Sequence, residues 1–566
     1  MTTPSMDPDG SGRTGRVAAI RSATRARTAP LTVPLAAAGA ALTVAGSLTP
    51  WATFFFGYPG KVTLAGFPGG ARLYTLLFAV GLLLVVIRIA GRRRAVLACA
   101  LGIIAISVGN LLAIASGGGG LGAVAYGAWL TVAGGVLGAL AGDAVREPAD
   151  SERNLRWGRL WVWAPLEILL IALVLGGLLV AIVIGLKINE SSAFVSYLAF
   201  LGFAAAAAVA LGAGTLVSYV SERHRTVTLA AAAITAAAFP FTQGGDSYWI
   251  RVAASIGVFA AAAIGLNIVV GLAGLLDLGY VAFFGVGAYV SALLSNATFT
   301  TVHVHVPFGA VIVLGALTSA FFGVIIGAPT LRLRGDYLAI VTLGFGEIFR
   351  IVANNWDGLT RGPNGISGVP NINANGFDFG KPHTVFGIVL PGFANYYFLE
   401  LLLVAGVMVI FANLNRSRIG RAWVAIREDE LAARAMGINT VALKLLAFAM
   451  GAFLAGAAGT VNAHVTTQVS PDSYTFLESA LLLSAVVLGG MGTLPGAVLG
   501  STLLFVIPEK LRTFQDKRLL LFGLALILMM RFRPEGLIAS RRRQRELLSE
   551  ESGADAMSQP GQVARA

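Results

Sequence analysis

Apolar runs of bilayer-crossing length, separated by short polar and basic breaks, recur along this chain. About 20 consecutive apolar residues of helix cross the hydrocarbon core. Runs near 31–51, 71–90, 95–115, 121–142, 160–186 and 193–220 predict about six transmembrane helices in the first part. Further spans are predicted near 226–241, 250–270, 308–331, 337–353, 441–461, 476–488 and 519–530.

Two apolar segments break this regularity. The stretch GLAGLLDLGYVAFFGVGAYVSALL carries Gly271, Gly274, Gly279, Gly285 and Gly287. Each glycine costs about 1 kcal/mol relative to alanine in a helix, so a broken or closely packed helix is expected. Unwound backbone at membrane depth lines cavities in transporters, which makes Asp277 and Tyr280 candidates for a translocation pathway. The alternative is glycine used for close helix contact, with Asp277 at the interface. The second segment is LGGMGTLPGAVLGS, where Gly489, Gly490 and Pro495 predict a sharp reversal and Gly496 and Gly500 a packed helix face. Gly271, Gly274, Gly279, Gly489 and Gly490 are the candidate hinges. Gly134, Gly138 and Gly142, at four-residue spacing, predict tight helix packing in the first part.

One stretch reads as built for water. NLNRSRIGRAWVAIREDELAARAMGIN, within 413–440, is a charged island between apolar runs. Read as helix, it sets Glu430 four residues before Arg434, the favourable order for a charge pair, and Met436-Gly437 offers a left-handed cap. The connection is longer than the 2 to 8 residues or so that join neighbouring helices, which points to a docking surface; a solvated loop that only fixes orientation is the plainer reading.

Composition agrees with a membrane solvent. Of 566 residues, 56% are hydrophobic and only 12% charged, with a mean hydropathy of +0.78. The net charge of +13 sits in short clusters between apolar runs instead of one stripe, which argues for topology and against nucleic acid. Cys99 is the single cysteine, so no disulfide or thiolate metal site forms within the chain. Residues 1–30 read as a basic disordered cytoplasmic tail and 31–225 as an accessory transmembrane region. The run 31–51 lacks a clear small-x-small cleavage site and reads as a retained span. Arg92-Arg93-Arg94, the segment 146–159 and Arg223-His224-Arg225 are expected on the cytoplasmic side, as are both termini and the 541–566 tail.

Polar groups inside spans are the remaining candidates. Glu167 lies near a cytoplasmic end, where it can reach the headgroup region, and no role is assigned to it. Glu347 is about 15 Å into its helix, and Arg350 and Asn354 continue the same face. A Glu347–Arg350 pair and a polar pathway lining are both open. The polar stretch 354–383 belongs outside, as a connection or a contact for a solute-delivering partner. His303 and His305 have no further ligand nearby and read poorly as a metal site.

Several separated motifs resemble one family. Glu430, Ala432, Ala433 and Gly437 follow E-x-A-A-x-x-x-G, as in the coupling loops of ABC-importer permeases. With NIVVGLAGLLDLGYVAFFGVGAY, RGDYLAIVTLGFGEIFRIVANNWDGLTRGPNGI, GRAWVAIREDELAARAMGIN and VVLGGMGTLPGAVLGS, the region 226–540 resembles the LivM-type permease subunit of branched-chain amino acid ABC transporters. That resemblance implies an all-α polytopic fold with a permease core of about 8 to 10 helices, here preceded by about six more. It implies ATPase coupling through Gly420, Arg421, Arg427, Glu430, Ala432, Ala433 and Gly437. It also implies a second, LivH-like permease subunit, two ABC ATPases that hold ATP and magnesium, an extracytoplasmic solute-binding protein, and a bacterial plasma membrane around them. No phosphate loop G-x-x-x-x-G-K-[ST] occurs in this chain, so hydrolysis belongs to partners and no cofactor is expected here. Relatives also carry urea or short amides. An ion-gradient-driven transporter using Asp277, Glu347 and Glu478 is the rival from another class, and a membrane-embedded enzyme lacks a nucleophile and base at a shared depth.

Overall fold

The computed structural model describes residues 31–52, 70–87, 91–116, 120–145, 164–188, 190–244, 246–295, 298, 300, 306–330, 336–374, 376–385, 387–510 and a few positions between 523 and 538. Among them, 11 helices are long and apolar enough to cross a membrane, and three shorter apolar helices accompany them. The all-α polytopic class expected from the sequence is therefore observed. The predicted tails 1–30 and 541–566, the segment 146–159, the turn 332–335, and His303 and His305 lie outside the described residues, as does most of the predicted span 519–530. The chain divides into two compact units, Met1–Ala236 and Ala237–Ala566.

The first unit holds α1 (Thr32–Leu48), α2 (Ala71–Leu82), α3 (Arg92–Ile114), α4 (Tyr126–Ala144), α5 (Ala164–Lys187), α6 (Ser191–Ala210), α7 (Ala213–Arg223) and the start of α8 (Arg225–Thr242). Small residues let α1 and α4 touch backbone to backbone: a β-carbon at Gly39 would stand 2.8 Å from the Gly134 carbonyl oxygen. The glycines expected on one face of α4 instead serve different neighbours, Gly134 meeting α1 while Gly142 receives Leu97 of α3. The run read as one span over 193–220 is two helices, because Gly212 takes a left-handed φ of 91° between them. Glu167 is buried and paired, with Arg223 Nη1 at 3.0 Å and His224 Nε2 at 2.7 Å. Its carboxylate thus joins α5 to the α7–α8 turn instead of reaching for headgroups.

The second unit is organised around a break. Helix α9 (Ser247–Asn267) loosens into a π turn over Ile268–Leu272, the backbone is non-helical over 273–279, and α10 (Tyr280–Leu294) resumes. Then follow α11 (Phe308–Thr330), α12 (Asp336–Asn355), the single turn α13 (Asp357–Thr360), α14 (Gly392–Arg416), α15 (Arg418–Glu428), α16 (Glu430–Ala435), α17 (Thr440–Thr466), α18 (Phe476–Gly489) and α19 (Leu494–Lys510). Helix α17 is the central post, its small residues admitting α10 and α11: Thr460 Oγ1 donates to the Gly287 carbonyl, and a β-carbon at Gly315 would collide with the same hydroxyl. The run after the second glycine-rich break, read as merely short, is the 17-residue helix α19.

The polar stretch after α12 is ordered by three two-stranded antiparallel ladders. β1 (Ile366–Ser367) pairs with β6 (Gln468–Val469), just beyond α17, while β2 (Asn373–Ala374) pairs with β3 (Phe377–Asp378) and β4 (His383–Val385) with β5 (Ile388–Leu390). His464 Nδ1 adds a contact of 2.9 Å to the Pro370 carbonyl. This loop end lies opposite the end formed by α15, α16 and the helix break.

The α1–α4 contact yields a stability prediction. Gly39→Val forces a side chain into the Gly134–Gly138 backbone and should cost about 1–3 kcal/mol, the usual range for overpacking. Gly176→Ala, on α5 with no atom within 4 Å of the added carbon, should leave stability unchanged or raise it slightly. Thermal unfolding of the detergent-solubilised protein separates the two.

Candidate functional site

The segment expected to face water is a pair of helices with a side-chain cap at each of three joints. Ser417 Oγ accepts from Gly420 N at 3.1 Å and starts α15; Asp429 Oδ1 accepts from Leu431 N and Ala432 N and starts α16; Asn439 Oδ1 accepts from Ala442 N and starts α17. Caps of this kind satisfy amides that a helix start leaves orphaned. Helix α16 ends at Ala435 with Met436 as its cap, and Gly437 takes the expected left-handed conformation with φ of 83°. A β-carbon there meets no atom of this chain within 4 Å, so the position is open in space and restricted only by its backbone.

The inner face of the pair is locked onto the membrane helices. Trp423 is fully buried and its Nε1 donates to the Leu443 carbonyl at 2.7 Å. Gly420 lets α15 press against the end of α14, since a β-carbon would stand 2.2 Å from the Leu414 carbonyl oxygen. Glu430 accepts from Lys444 Nζ at 2.7 Å and from Arg434 Nη2 at 3.3 Å. The Arg434 contact is the one read from the spacing. Lys444 gave only a faint signal, a lone cation in the first turns of an apolar helix. Burial pushes the Glu430 carboxyl up, but the hydrogen bond and charge of Lys444, with Thr440 and Arg434 adding to them, hold it below the usual value.

The outer face carries an apolar patch among exposed charges that include Arg421, Glu428 and Arg434. Leu431 is 65% exposed and Met436 83%, and Ala432 lies exposed beside them. Of the seven coupling candidates, Ala432 and Gly437 face outward, and Arg421 is exposed with Nη1 donating to the Arg416 carbonyl. Gly420, Ala433 and Arg427 face inward, and Glu430 binds Lys444. Leu431 and Met436 were missed because the small-residue pattern drew attention past them.

Arg427 reaches the broken helix. Its Nη1 donates to the Gly271 carbonyl at 2.8 Å, and its stem packs where a β-carbon on Gly274, at φ of 70°, would stand 2.5 Å from Cγ. Asn267, at the end of α9, carries the contact onward: Oδ1 accepts from Gly492 N at 2.7 Å and Nδ2 donates to the Thr493 carbonyl at 2.9 Å. The candidate hinge region around Gly271 and Gly274 is thereby joined to the second glycine-rich turn, where Gly490 has φ of 116° and Gly489 lies against Gly496. Asn267 was not singled out from the sequence, although a lone amide at the edge of an apolar run is the signal that could have found it. Gly279 packs on the Thr342 backbone.

The pathway candidates fall into two places. Asp277 is buried in the break, with Oδ1 accepting from Gly279 N at 3.0 Å and Oδ2 without a hydrogen-bond partner among the described residues. Tyr280 is fully buried and donates to the Gly451 carbonyl at 2.8 Å, which ties α10 to α17. Glu347 and Arg350 form a 3.0 Å ion pair further along α12, and Asn354 is half-buried near its end. Among the described residues, no group of three or more His, Cys, Asp or Glu is placed to hold a metal.

Residues 248–530 match the model of a family described as branched-chain amino acid transport system / permease component. The chain is 41% identical over 335 residues to the high-affinity branched-chain amino acid transport system permease protein LivM of Salmonella typhimurium, covering 57% of this chain and 76% of that protein. The LivM protein of Escherichia coli is 40% identical over 333 residues, covering 56% and 76%. LivH of Salmonella typhimurium is 25% identical over 290 residues, covering 50% of this chain and 91% of that protein. No solved structure matches.

The Glu430 contacts predict a pH dependence. A carboxylate held below its ordinary value of 4.5 contributes stability that is complete above that value and is lost as pH falls through the lowered one. Amide-exchange protection of 430–437, corrected for intrinsic rate, should therefore hold from neutral pH to near the ordinary value and collapse below it. Glu430→Gln should show weaker protection at neutral pH and a smaller acid step, since the Asp429 cap is unchanged.

Proposed function

The chain belongs to the family of branched-chain amino acid transport system permease components, and on that footing we propose that it carries branched-chain amino acids inward as one membrane subunit of an ATP-driven importer. It is a transport permease and not an enzyme. Its proposed partners are a second, LivH-like permease, two ABC ATPases that bind ATP and magnesium, and an extracytoplasmic solute-binding protein. The proposed setting is the bacterial plasma membrane, with both termini and the α15–α16 pair on the cytoplasmic side and the β-laddered loop outside. The similarity of this one chain to both LivM and LivH proteins supports a paired permease built from related subunits.

The observation that carries the mechanism is the contact between Arg427 and the Gly271 carbonyl. The ATPase would grip the exposed apolar face of Leu431, Ala432 and Met436, and the cap at Gly437 would turn the chain back out of the interface. Closure of the ATPases on nucleotide would displace α15 and α16 together, because Trp423, Ser417 and Glu430 fix them to neighbouring helix ends, Ser417 Oγ donating to the Leu414 carbonyl of α14. Arg427 would pass that displacement to the first break, and Asn267 to the turn at Gly489–Thr493. The candidate pathway residues Asp277, Tyr280, Glu347, Arg350 and Asn354 would then alternate between outward and inward access. The membrane region before residue 226 is proposed as an accessory part.

Uptake of labelled leucine into vesicles containing the assembled partners tests this. Met436→Asp should abolish uptake together with recovery of the ATPases on purification, since it buries a charge in the docking face. Arg427→Met should leave the ATPases bound and still cut uptake by about tenfold or more, the loss expected for removing a charged hydrogen bond. Normal uptake in Arg427→Met would exclude this route of coupling.

A further inference from the structure

The ion pair on α12 stands in an unusual position for a pair that only holds a helix together. Glu347 Oε2 and Arg350 Nε are 3.0 Å apart, and their side chains are 37% and 33% exposed within the span Tyr337–Asn355. Lipid can neither hydrate nor counter such charges, so this face of α12 meets water or a polar neighbour. The stripe continues one turn toward the helix start at Gly344, where an added β-carbon would meet nothing within 4 Å. Toward the other end, Asp472 Oδ1 lies 4.0 Å from Arg350 Nη1. Behind the pair, the rings of Tyr289, Phe349 and Tyr474 form a mutual cluster with centroids 6.1 Å apart. The Tyr289 hydroxyl is buried there with no hydrogen-bond partner among the described residues.

Resting on the reading of this chain as an amino-acid permease, we propose that Glu347 and Arg350, with Asp472 and the Tyr289 hydroxyl, form a recognition station for zwitterions. In a free amino acid the carboxylate and the ammonium are borne by one carbon, so a single solute can meet both Glu347 and Arg350 once their pair opens. Arg350 turns from Glu347 to the solute carboxylate, and Glu347 takes the ammonium. One ion pair becomes two, and every charge keeps a counter-charge throughout. A solute with only a carboxylate leaves Glu347 unpaired, one with only an ammonium leaves Arg350 to the longer 4.0 Å contact with exposed Asp472, and a neutral amide opens the pair without replacing it; each is disfavoured by the cost of a poorly compensated charge. The open helix face at Gly344 lets the aliphatic side chain lie alongside it, and the buried Tyr289 hydroxyl, without a partner among the described residues, is the donor left for the solute's polar end once the pair opens. Urea and short amides are thereby excluded by charge and not by size.

The test is competition against labelled leucine uptake by the assembled transporter in proteoliposomes, at saturating ATP, with each analogue also titrated against the isolated solute-binding protein so that its own selectivity is divided out. Unlabelled leucine and isoleucine should compete, whereas leucinamide, 4-methylpentanoate and urea should fail to do so at a hundredfold excess. Arg350→Gln and Glu347→Gln should each raise the KM for leucine by about tenfold or more, while Glu347→Arg combined with Arg350→Glu recovers part of the loss by keeping a pair. Gly344→Leu should depress leucine uptake more than alanine uptake. Equal competition by the singly charged analogues, or an unchanged KM in both single variants, would overturn the station while leaving the permease reading intact. Should the variants fail to assemble, the competition profile of the wild-type complex decides alone. A wild-type complex that takes up no amino acid overturns both.

Discussion

An interrupted helix inside a membrane protein leaves peptide groups that lipid cannot satisfy, and the second unit is arranged around meeting that demand. Between α9 and α10 the orphaned groups find partners on three other elements. Thr342 of α12 accepts from Leu278 N at 3.0 Å, Ser479 of α18 accepts from Val281 N at 3.0 Å, and Arg427 of α15 donates to the Gly271 carbonyl. Asp277 turns back on its own chain to cap Gly279 N. The break is thus a joint closed by side chains, and it can move only if those partners move with it. In a continuous helix the same groups would bond within the ladder and report nothing to their surroundings.

This arrangement explains why the proposed coupling and hinge residues mix at one end of the unit. Arg427 belongs by sequence to the water-facing segment, yet its guanidinium ends on the backbone of a membrane helix. Asn267 belongs to a membrane helix, yet it holds the turn before α19 through both halves of its amide. Each spends its polar capacity between elements more than 150 residues apart in the chain. Glycine makes the approach feasible, since a β-carbon at Gly271 would collide with Asn267 Oδ1 and stand 2.6 Å from Gly492 N.

Much of this was legible in the sequence because lipid imposes simple rules. Span length, basic breaks and glycine interruptions located most helices within a few residues, and the Glu430–Arg434 spacing and the Gly437 cap were both readable. The Glu347–Arg350 contact was readable too, as one of two open possibilities. What local pattern could not carry was direction. Nothing in GRAWVAIRE says that Arg427 points inward while Arg421 is exposed, because both depend on where α17 and the break lie. Lys444 and Asn267 were hidden for the same reason, each polar for a partner far away in the chain. The split at Gly212 was missed because apolar residues continue on both sides and only a backbone angle marks the corner.

Helix α17 is held at both extremities, by Lys444 and the Leu443 carbonyl at one and by the β1–β6 ladder and His464 at the other. Its 27 residues make a strut about 40 Å long at 1.5 Å per residue. A strut gripped at its foot magnifies small rotations: a tilt of about five degrees there sweeps its head sideways by about 3.5 Å. Stiffness along one helix can therefore carry a small rotation from one end of this unit to the other.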